Sequence, residues 1–237
     1  MTLAEPPYRV LPSPNHSGRR NQTRGVVIHA TRSGKPYLGL QEEYEGTISY
    51  IRTPNVQASY NVVIGPWEMA VCVDAPLASW HAEENNLTHL SIGLAQPVIA
   101  MSYTRFQVEA TAYVTQYWHS LFGFPLQRVF SQYQRGILGH EDTEQGKRSG
   151  KSDPGYRWPW DEFIALVREE ETLAMTPEQL QELYDLLKAA WGHYANAAPH
   201  VQMIKGSPPA TAMIEGGKNL AFGIRAAEDA LGIEHTV

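Results

Sequence analysis

Two histidines and one aspartate carry the side chains best suited to bind a metal ion. His29 ends an apolar run typical of a buried strand, His140 follows a second such run, and Asp153 lies thirteen positions later in a loop rich in Gly, Ser and Pro. Two imidazoles and one carboxylate suit a catalytic zinc site, which keeps a fourth position for water. A structural zinc site usually has four ligands, often several cysteines, and this chain has only Cys72. The pattern therefore predicts a zinc hydrolase.

The composition is that of a folded chain with one main domain. Its 237 residues are enough for one well-buried domain plus an appendage, and short for two full domains. Hydrophobic residues make up 43% and charged residues 19%, which argues against wholesale disorder. The net charge of −6 is scattered along the chain, so no nucleic-acid partner is expected. No apolar run approaches the roughly twenty residues that a membrane span needs.

The N-terminus and the single cysteine bear on where the protein is made. Residues 1–21 are rich in Pro, Ser, Asn and Arg and lack the apolar core of a secretory signal peptide. A lone Cys72 excludes a disulfide framework within the chain, which is compatible with a reducing cytoplasm. Its valine neighbours favour a small buried residue over a nucleophile. We therefore expect synthesis in the cytoplasm without a signal peptide.

Strand and helix patterns predict an α/β fold, with a mixed central β-sheet flanked by helices. Residues 1–24 form a Pro-rich extended arm in this interpretation. Apolar runs with turn residues between them predict strands, and spacing of three and four predicts helices. The predicted strands are 25–29, 58–65, 69–73, 91–94 and 136–139, and the predicted helices are 41–44, 104–122 and 163–173.

A change of character near residue 172 predicts a domain boundary. Thr176 and Pro177 form a helix-start signal with acids nearby. An apolar stripe at helical spacing follows, made of Leu180, Leu183, Leu187 and Trp191. A second helix is predicted over residues 217–231, ending before Gly232. We therefore expect a catalytic domain over 1–172 and a helical C-terminal appendage over 173–237, used for wall targeting or self-association.

Five sequence blocks together resemble one enzyme family. They are GVVIHAT (25–31), ASYNVVIG (58–65), ASWHA (78–82), SIGL (91–94), and GH (139–140) with KSDPG (151–155). In this order they resemble the zinc-dependent N-acetylmuramoyl-L-alanine amidases, which share a fold with peptidoglycan recognition proteins and many phage lysins. The resemblance covers about residues 20–165. It implies that fold, a zinc cofactor and peptidoglycan as the substrate and partner.

The resemblance also implies roles for individual residues. His29, His140 and Asp153 resemble the family's zinc ligands. Lys151 matches a lysine that stabilises the developing oxyanion, and Tyr60 matches a tyrosine placed beside the reacting water. The remaining matched positions imply a substrate groove and are His81, Thr31 and Trp80.

Two positions depart from the family pattern. Many bacterial members carry a catalytic glutamate where this chain has Ala95, so that residue cannot serve as general base here. The spacing from His140 to Asp153 is also a few residues longer than usual, which predicts an enlarged loop through residues 145–147. Neither departure removes a predicted metal ligand.

Each residue also has an ordinary structural interpretation when it is taken singly. Asp153 with Pro154 and Gly155 is compatible with a simple turn. Lys151 alone would be a solvated charge, and Tyr60 alone would be a packed ring. His81 fits a groove position or local packing equally well.

Three functions remain open at this level. The leading hypothesis is a phage-type endolysin that cuts between N-acetylmuramic acid and L-alanine and reaches the wall after release during host lysis. A cytoplasmic amidase that recycles soluble muropeptides is the second, although such members usually keep the glutamate that is Ala95 here. A non-catalytic recognition protein is the third, although many of those lose a metal ligand.

The predicted boundary can be tested by truncation. A chain that ends at residue 172 should still bind zinc and cleave soluble muropeptides, because every predicted ligand precedes the boundary. It should lose activity on intact walls, or stability, which wall-turbidity assays and thermal unfolding measure. A truncated chain that folds but is inactive on soluble substrate would place the appendage in the active site.

Overall fold

The computed structural model describes residues 3–169, which contain eight strands and four α-helices. The strands are β1 (Tyr8–Val10), β2 (His16–Arg19), β3 (Gly25–Ala30), β4 (Val62–Ile64), β5 (Met69–Val71), β6 (Leu77–Ser79), β7 (His89–Leu94) and β8 (Gly136–Gly139). The helices are α1 (Leu40–Ile51), α2 (Arg105–Phe122), α3 (Glu144–Arg148) and α4 (Trp160–Glu169). The predicted appendage lies outside the described residues, so it and its boundary stay predictions.

Six strands form one mixed sheet, which confirms the predicted fold class. Their order is β1-β5-β4-β7-β3-β8. β3 lies between β7 and β8 and runs parallel to both, and β4 runs parallel to β7 but antiparallel to β5. β2 and β6 form a separate antiparallel pair. The N-terminal residues that were predicted as an extended arm thus supply two short strands.

The two faces of the sheet are covered by different helices. Alternate residues of a strand point to opposite faces. Val62 and Ile64 therefore join the core cluster that contains residues of α2 and α4, whereas Val63 joins the cluster with α1. Cys72 lies buried in the α1 cluster, as predicted.

α2 begins and ends where its sequence predicts. The Thr104 side chain accepts a hydrogen bond from Gln107 N, and the Gln107 side chain accepts one from Thr104 N, which forms a capping box. Gly123 ends the helix in the left-handed region at φ 63°, where glycine has no Cβ penalty. No helix within residues 3–169 is long and apolar enough to cross a membrane.

Other elements differ from their predicted bounds for identifiable reasons. α1 is much longer than the predicted 41–44 helix because Tyr44, Ile48 and Ile51 all face the sheet, although Gly46 and Ser49 weaken its helical pattern. The predicted strand 58–65 shortens to β4. Preceding it, Asn61 contacts β7 mainly through side chains: Asn61 N donates to Ser91 Oγ at 3.0 Å, and Asn61 Oδ1 accepts from Ser91 N at 3.1 Å. α4 starts three residues before the predicted start.

The pairing of β3 with β8 brings two histidines together. In this parallel register Val27 lies opposite Leu138 and Ile28 opposite Gly139. Val27 and Leu138 pack in one buried cluster. Because side chains two residues apart share a face, His29 and His140 extend from the same side at the carboxyl end of the sheet.

Candidate metal centre

His29, His140 and Asp153 form one compact buried group. The centroids of the two imidazole rings lie 4.4 Å apart. Asp153 Oδ2 lies 3.1 Å from His140 Nδ1 and 3.5 Å from His29 Nδ1. One candidate ligand atom from each residue falls within 4.8 Å of the others, and all three side chains are buried. The structure thus brings together the three residues that the sequence predicts as ligands.

The donor set and its spacing fit a zinc ion. Zinc takes imidazole nitrogen and carboxylate oxygen at about 2.0–2.2 Å, so two ligands of a tetrahedral site lie roughly 3.3 Å apart. The two distances from Asp153 Oδ2 to the histidine Nδ1 atoms, 3.1 and 3.5 Å, bracket that value. Three protein ligands are typical of a catalytic site, in which the fourth position is open.

The outer ring nitrogens of both histidines have partners. His29 Nε2 lies 3.0 Å from His81 Nδ1, and His140 Nε2 contacts Gln145 Oε1. Gln145 Oε1 is an acceptor, so His140 carries its proton on Nε2 and presents the Nδ1 lone pair. Partners of this kind set the tautomer and orientation of a metal-binding histidine.

His81 continues this arrangement toward the N-terminal part of the chain. Its Nε2 lies 3.2 Å from the carbonyl oxygen of His89, which can only accept a hydrogen bond. The proton of His81 is therefore on Nε2, and His81 Nδ1 accepts from His29 Nε2–H. Arg20 donates to the same His89 carbonyl and also to Asn86 O at 2.8 Å. His81 thus contacts His29, one of the three predicted ligands, on the side away from Asp153.

Burial and neighbouring charges set the protonation states. Burial lowers the pKa of His29 to about 4, His140 acts in the same direction, and Asp153 opposes both. Burial also holds the pKa of His81 well below its usual value. Burial raises the pKa of Asp153, but its contacts with His140 and His29 outweigh this effect and keep the pKa low. At neutral pH His29 is therefore a neutral imidazole and Asp153 an ionised carboxylate, which are forms that bind metal.

Arg32 fixes the segment that carries Asp153. Its guanidinium donates to Ser152 Oγ at 2.8 Å, to Ser152 O at 3.0 Å and to Pro154 O at 2.9 Å. Arg32 has a φ of 47°, a region that costs energy for any residue with a Cβ. The carboxylate itself accepts from Ala30 N at 3.3 Å through Oδ2. The end of β3 thus supplies one ligand and holds another.

Tyr60 lies directly beside the ligands. Its ring centroid is 5.2 Å from that of His29. The ring lies over Gly93, where an added Cβ would come within 2.8 Å of Tyr60 Cδ2. Burial raises the pKa of Tyr60, and the charges of Asp153 and Glu43 act in the same direction. The phenol therefore keeps its proton and remains a hydrogen-bond donor.

The other predicted site residues lie at varied positions. Lys151 is exposed and makes no side-chain hydrogen bond or ion pair among the described residues. Its charge acts on His29, where it favours the neutral imidazole. Thr31 donates to Glu43 Oε1 at 2.6 Å. The indole of Trp80 donates to Ser17 Oγ at 2.6 Å, so its hydrogen bond holds it against β2 and none reaches the three ligands.

The predicted enlarged loop contains a short helix that contacts His140. α3 spans Glu144–Arg148 and is capped by Thr143, whose hydroxyl accepts from Gly146 N at 2.9 Å. Gly146 lies against His140, since an added Cβ would come within 1.9 Å of its carbonyl oxygen. α3 thereby places Gln145 on His140 Nε2. Sequence reasoning did not find Gln145 or Arg32, although both follow a predicted ligand within five residues.

A comparison with protein families identifies the chain. The family model described as N-acetylmuramoyl-L-alanine amidase matches residues 19–156, more than half of the sequence. The chain belongs to this amidase family. The match includes every residue of the candidate metal centre and begins just before Arg20.

Solved structures show the same fold at low sequence identity. A selenomethionine derivative of AmpD is 20% identical, with a TM-score of 0.51, over 70% of this amidase and 96% of that chain. The hydrolase AmiA of Staphylococcus aureus, solved with its ligand, is 14% identical, with a TM-score of 0.53, over 71% of this amidase and 84% of that chain. The sequence matches no curated protein at a significant level.

The support of His29 by His81 can be tested through metal affinity. Changing His81→Leu should weaken zinc binding about 10- to 100-fold, because the acceptor that orients His29 is lost. His81→Asn should bind more tightly than His81→Leu, since its amide oxygen can replace Nδ1 as acceptor. Competition with a chromogenic chelator measures both affinities.

A matched control uses a histidine remote from the ligands. His119→Leu on α2 removes a hydrogen bond to Phe124 O and should leave zinc affinity unchanged. If His81→Leu and the unchanged protein bind zinc equally, His81 has no role in orienting His29.

Proposed function

We propose that this chain is a zinc-dependent peptidoglycan hydrolase. It cleaves the amide bond between N-acetylmuramic acid and L-alanine, and it acts as a phage-type endolysin. The observation that carries the proposal is the buried group of His29, His140 and Asp153, with ligand atoms within 4.8 Å of one another. Membership of the amidase family supplies the substrate class.

The three residues would hold the zinc ion through two neutral imidazoles and one carboxylate. When bound, zinc acts as a Lewis acid and lowers the pKa of a coordinated water towards about 7. His81 and Gln145 keep the imidazoles oriented, and Arg32 keeps Asp153 in place. The protein thus supplies a site whose geometry is set before substrate arrives, which avoids reorganisation during the reaction.

Tyr60 and Lys151 are the residues we assign to charge stabilisation. When water attacks the amide carbon, negative charge develops on the carbonyl oxygen. Tyr60 beside His29 is a protonated donor, and Lys151 is an exposed cation two residues before Asp153. Residue 95 is alanine, buried in the cluster beneath α1, so it offers no carboxylate for proton transfer. We therefore assign the proton movements to Tyr60, acting as a proton donor, or to a network of ordered water.

Two other functions compete with this proposal. A muropeptide-recycling amidase would perform the same bond cleavage on soluble substrate. Such members usually carry a catalytic glutamate at the position of Ala95, so the alanine argues against this function. A recognition protein would hold peptidoglycan without cutting it. The complete group of three buried metal-binding side chains favours catalysis over recognition.

The experiment that tests the function combines wall lysis with product analysis. A suspension of cell walls should lose turbidity when the protein and zinc are added, and a chelator should stop the loss. New N-terminal L-alanine should appear without new reducing sugars. New reducing sugars would instead indicate a glycosidase, and binding without any new terminus would indicate a recognition protein. Comparing walls with soluble muropeptides separates the endolysin from the recycling enzyme.

The roles of Tyr60 and Lys151 predict a specific pattern in variants. Tyr60→Phe and Lys151→Ala should each lower turnover about 10²- to 10³-fold, the usual effect of losing an oxyanion donor. Both should keep stoichiometric zinc, since neither residue is a ligand.

Controls for these variants lie on the same surface. Tyr156→Phe removes an exposed phenol three residues after Asp153, and Lys147→Ala removes an exposed ammonium from α3. Neither should change turnover. Near-normal rates in both test variants would assign charge stabilisation to other groups.

A further inference from the structure

Glu43 is a buried carboxylate, and its hydrogen-bond donors within residues 3–169 are all neutral. It is 4% exposed and reaches from α1 to the segment after β3. It accepts hydrogen bonds from Thr31 Oγ1 at 2.6 Å, Ser33 N at 2.9 Å and Ser33 Oγ at 2.5 Å. Among residues 3–169, no Lys, Arg or His forms an ion pair with it. A buried charge is costly when no opposite charge is near.

The hydrogen bonds leave room for one more donor. Thr31 Oγ1 accepts from Gln96 N at 3.4 Å, so the hydroxyl proton of Thr31 is directed to Glu43. Oε1 thus receives two hydrogen bonds and Oε2 receives one. A carboxylate oxygen has two lone-pair sites, so one site on Oε2 remains. Glu43 can therefore accept one further hydrogen bond, and a positively charged donor would also neutralise its charge.

Glu43 lines a cavity of about 500 Å³ next to the metal centre. Tyr60, whose ring contacts His29, belongs to both the cavity and the metal centre. Tyr50 adds a second phenol ring, and 56% of it is exposed. Glu42 adds a second carboxylate, while Lys35 is an exposed cation that makes no ion pair with Glu43. Carboxylates and tyrosine rings together are the chemistry that binds an ammonium group.

We propose that this cavity binds a primary ammonium group of the substrate's peptide, either before cleavage or in the released product, with Glu43 as its anionic partner. This inference rests on the proposed function, because the cavity adjoins the group that would cut the amide. The peptide side of the scissile bond offers two such groups. One is the side-chain amine of a diamino acid in the stem peptide, and the other is the amine that L-alanine gains on cleavage.

Binding of the cleaved peptide to the full chain tests the proposal directly. The probe is the tripeptide L-Ala-γ-D-Glu-L-Lys, compared with its Nα-acetyl and Nε-acetyl forms by isothermal titration calorimetry. Glu43→Gln should weaken binding of the unmodified tripeptide at least tenfold, because the amide keeps the shape but loses the charge. Acetylation of the responsible amine should weaken binding equally and remove any further effect of Glu43→Gln. The form that behaves in this way identifies which amine is bound.

A glutamate on the same helix provides the control. Glu45 lies two residues further along α1, is exposed and pairs with Arg9 at 2.7 Å. Glu45→Gln should leave tripeptide binding unchanged. Thermal unfolding and zinc content show whether Glu43→Gln keeps the fold. If Glu43→Gln does not fold, Glu43→Asp serves as the second variant, and it should keep part of the tripeptide affinity because it retains the charge.

Kinetics on muramoyl-tripeptide separates the proposal from its alternatives. The only primary amine of this substrate is the lysine side-chain amine, because the L-alanine nitrogen is still acylated. If the lysine amine is the bound group, Glu43→Gln should raise KM about tenfold and leave kcat within a few-fold. If the L-alanine amine is the bound group, KM should stay unchanged and inhibition by the released tripeptide should weaken about tenfold. A fall in kcat with unchanged KM would make Glu43 a proton acceptor and overturn the ammonium site. Equal binding of the free, Nα-acetyl and Nε-acetyl tripeptides would also overturn it. The absence of any new amino terminus from any substrate would instead reject the proposed amidase function.

Discussion

The parallel pairing of β3 with β8 is the constraint on which the metal centre depends. Neighbouring parallel strands place residues of the same register side by side, and the carboxyl ends of both strands meet at one edge. Val27 and Leu138 are packed against each other, so the next residues on that face, His29 and His140, must also be neighbours. A slip of one residue would turn one imidazole to the opposite face. The hydrophobic pattern of the two strands therefore sets the ligand geometry.

The imidazoles at this edge have hydrogen-bond partners on the nitrogens that face away from Asp153. Each imidazole contacts Asp153 on one side and a neutral partner, His81 or Gln145, on the other. Unpaired polar groups would each cost about 1–3 kcal/mol in such a buried place. The same contacts that satisfy the outer nitrogens also direct the inner lone pairs to a common point. Two lone pairs and a carboxylate oxygen thus face one another, and a cation bound between them would offset their repulsion.

The sequence predicted the parts that depend on strong local patterns. The strand before His29 and the helix bounded by Thr104 and Gly123 have apolar periodicity and clear end signals, and the structure contains both. The three candidate metal ligands could also be predicted, because two of them end apolar runs and the third lies in a block that matches the family. Gln145 was missed because α3 has only five residues and depends on contacts with Thr143 and His140, not on its own propensity. Glu43 was missed because its polar neighbours made it resemble a solvated helix residue, whereas tertiary contacts bury it. The C-terminal prediction lies outside the described residues.

The hydrogen bonds of Arg20 extend the functional unit to the beginning of the chain. Burial lowers the pKa of this guanidinium to about 10, and it donates to four backbone carbonyls, those of Ala75, Leu77, Asn86 and His89. The last of these carbonyls also holds His81 behind His29. A shortened enzyme that starts at β3 would keep all three ligands and look complete by its chemistry. It would nevertheless lack the Arg20 guanidinium, which ties together the loops behind the candidate metal centre, so the smallest useful catalytic fragment must begin before residue 20.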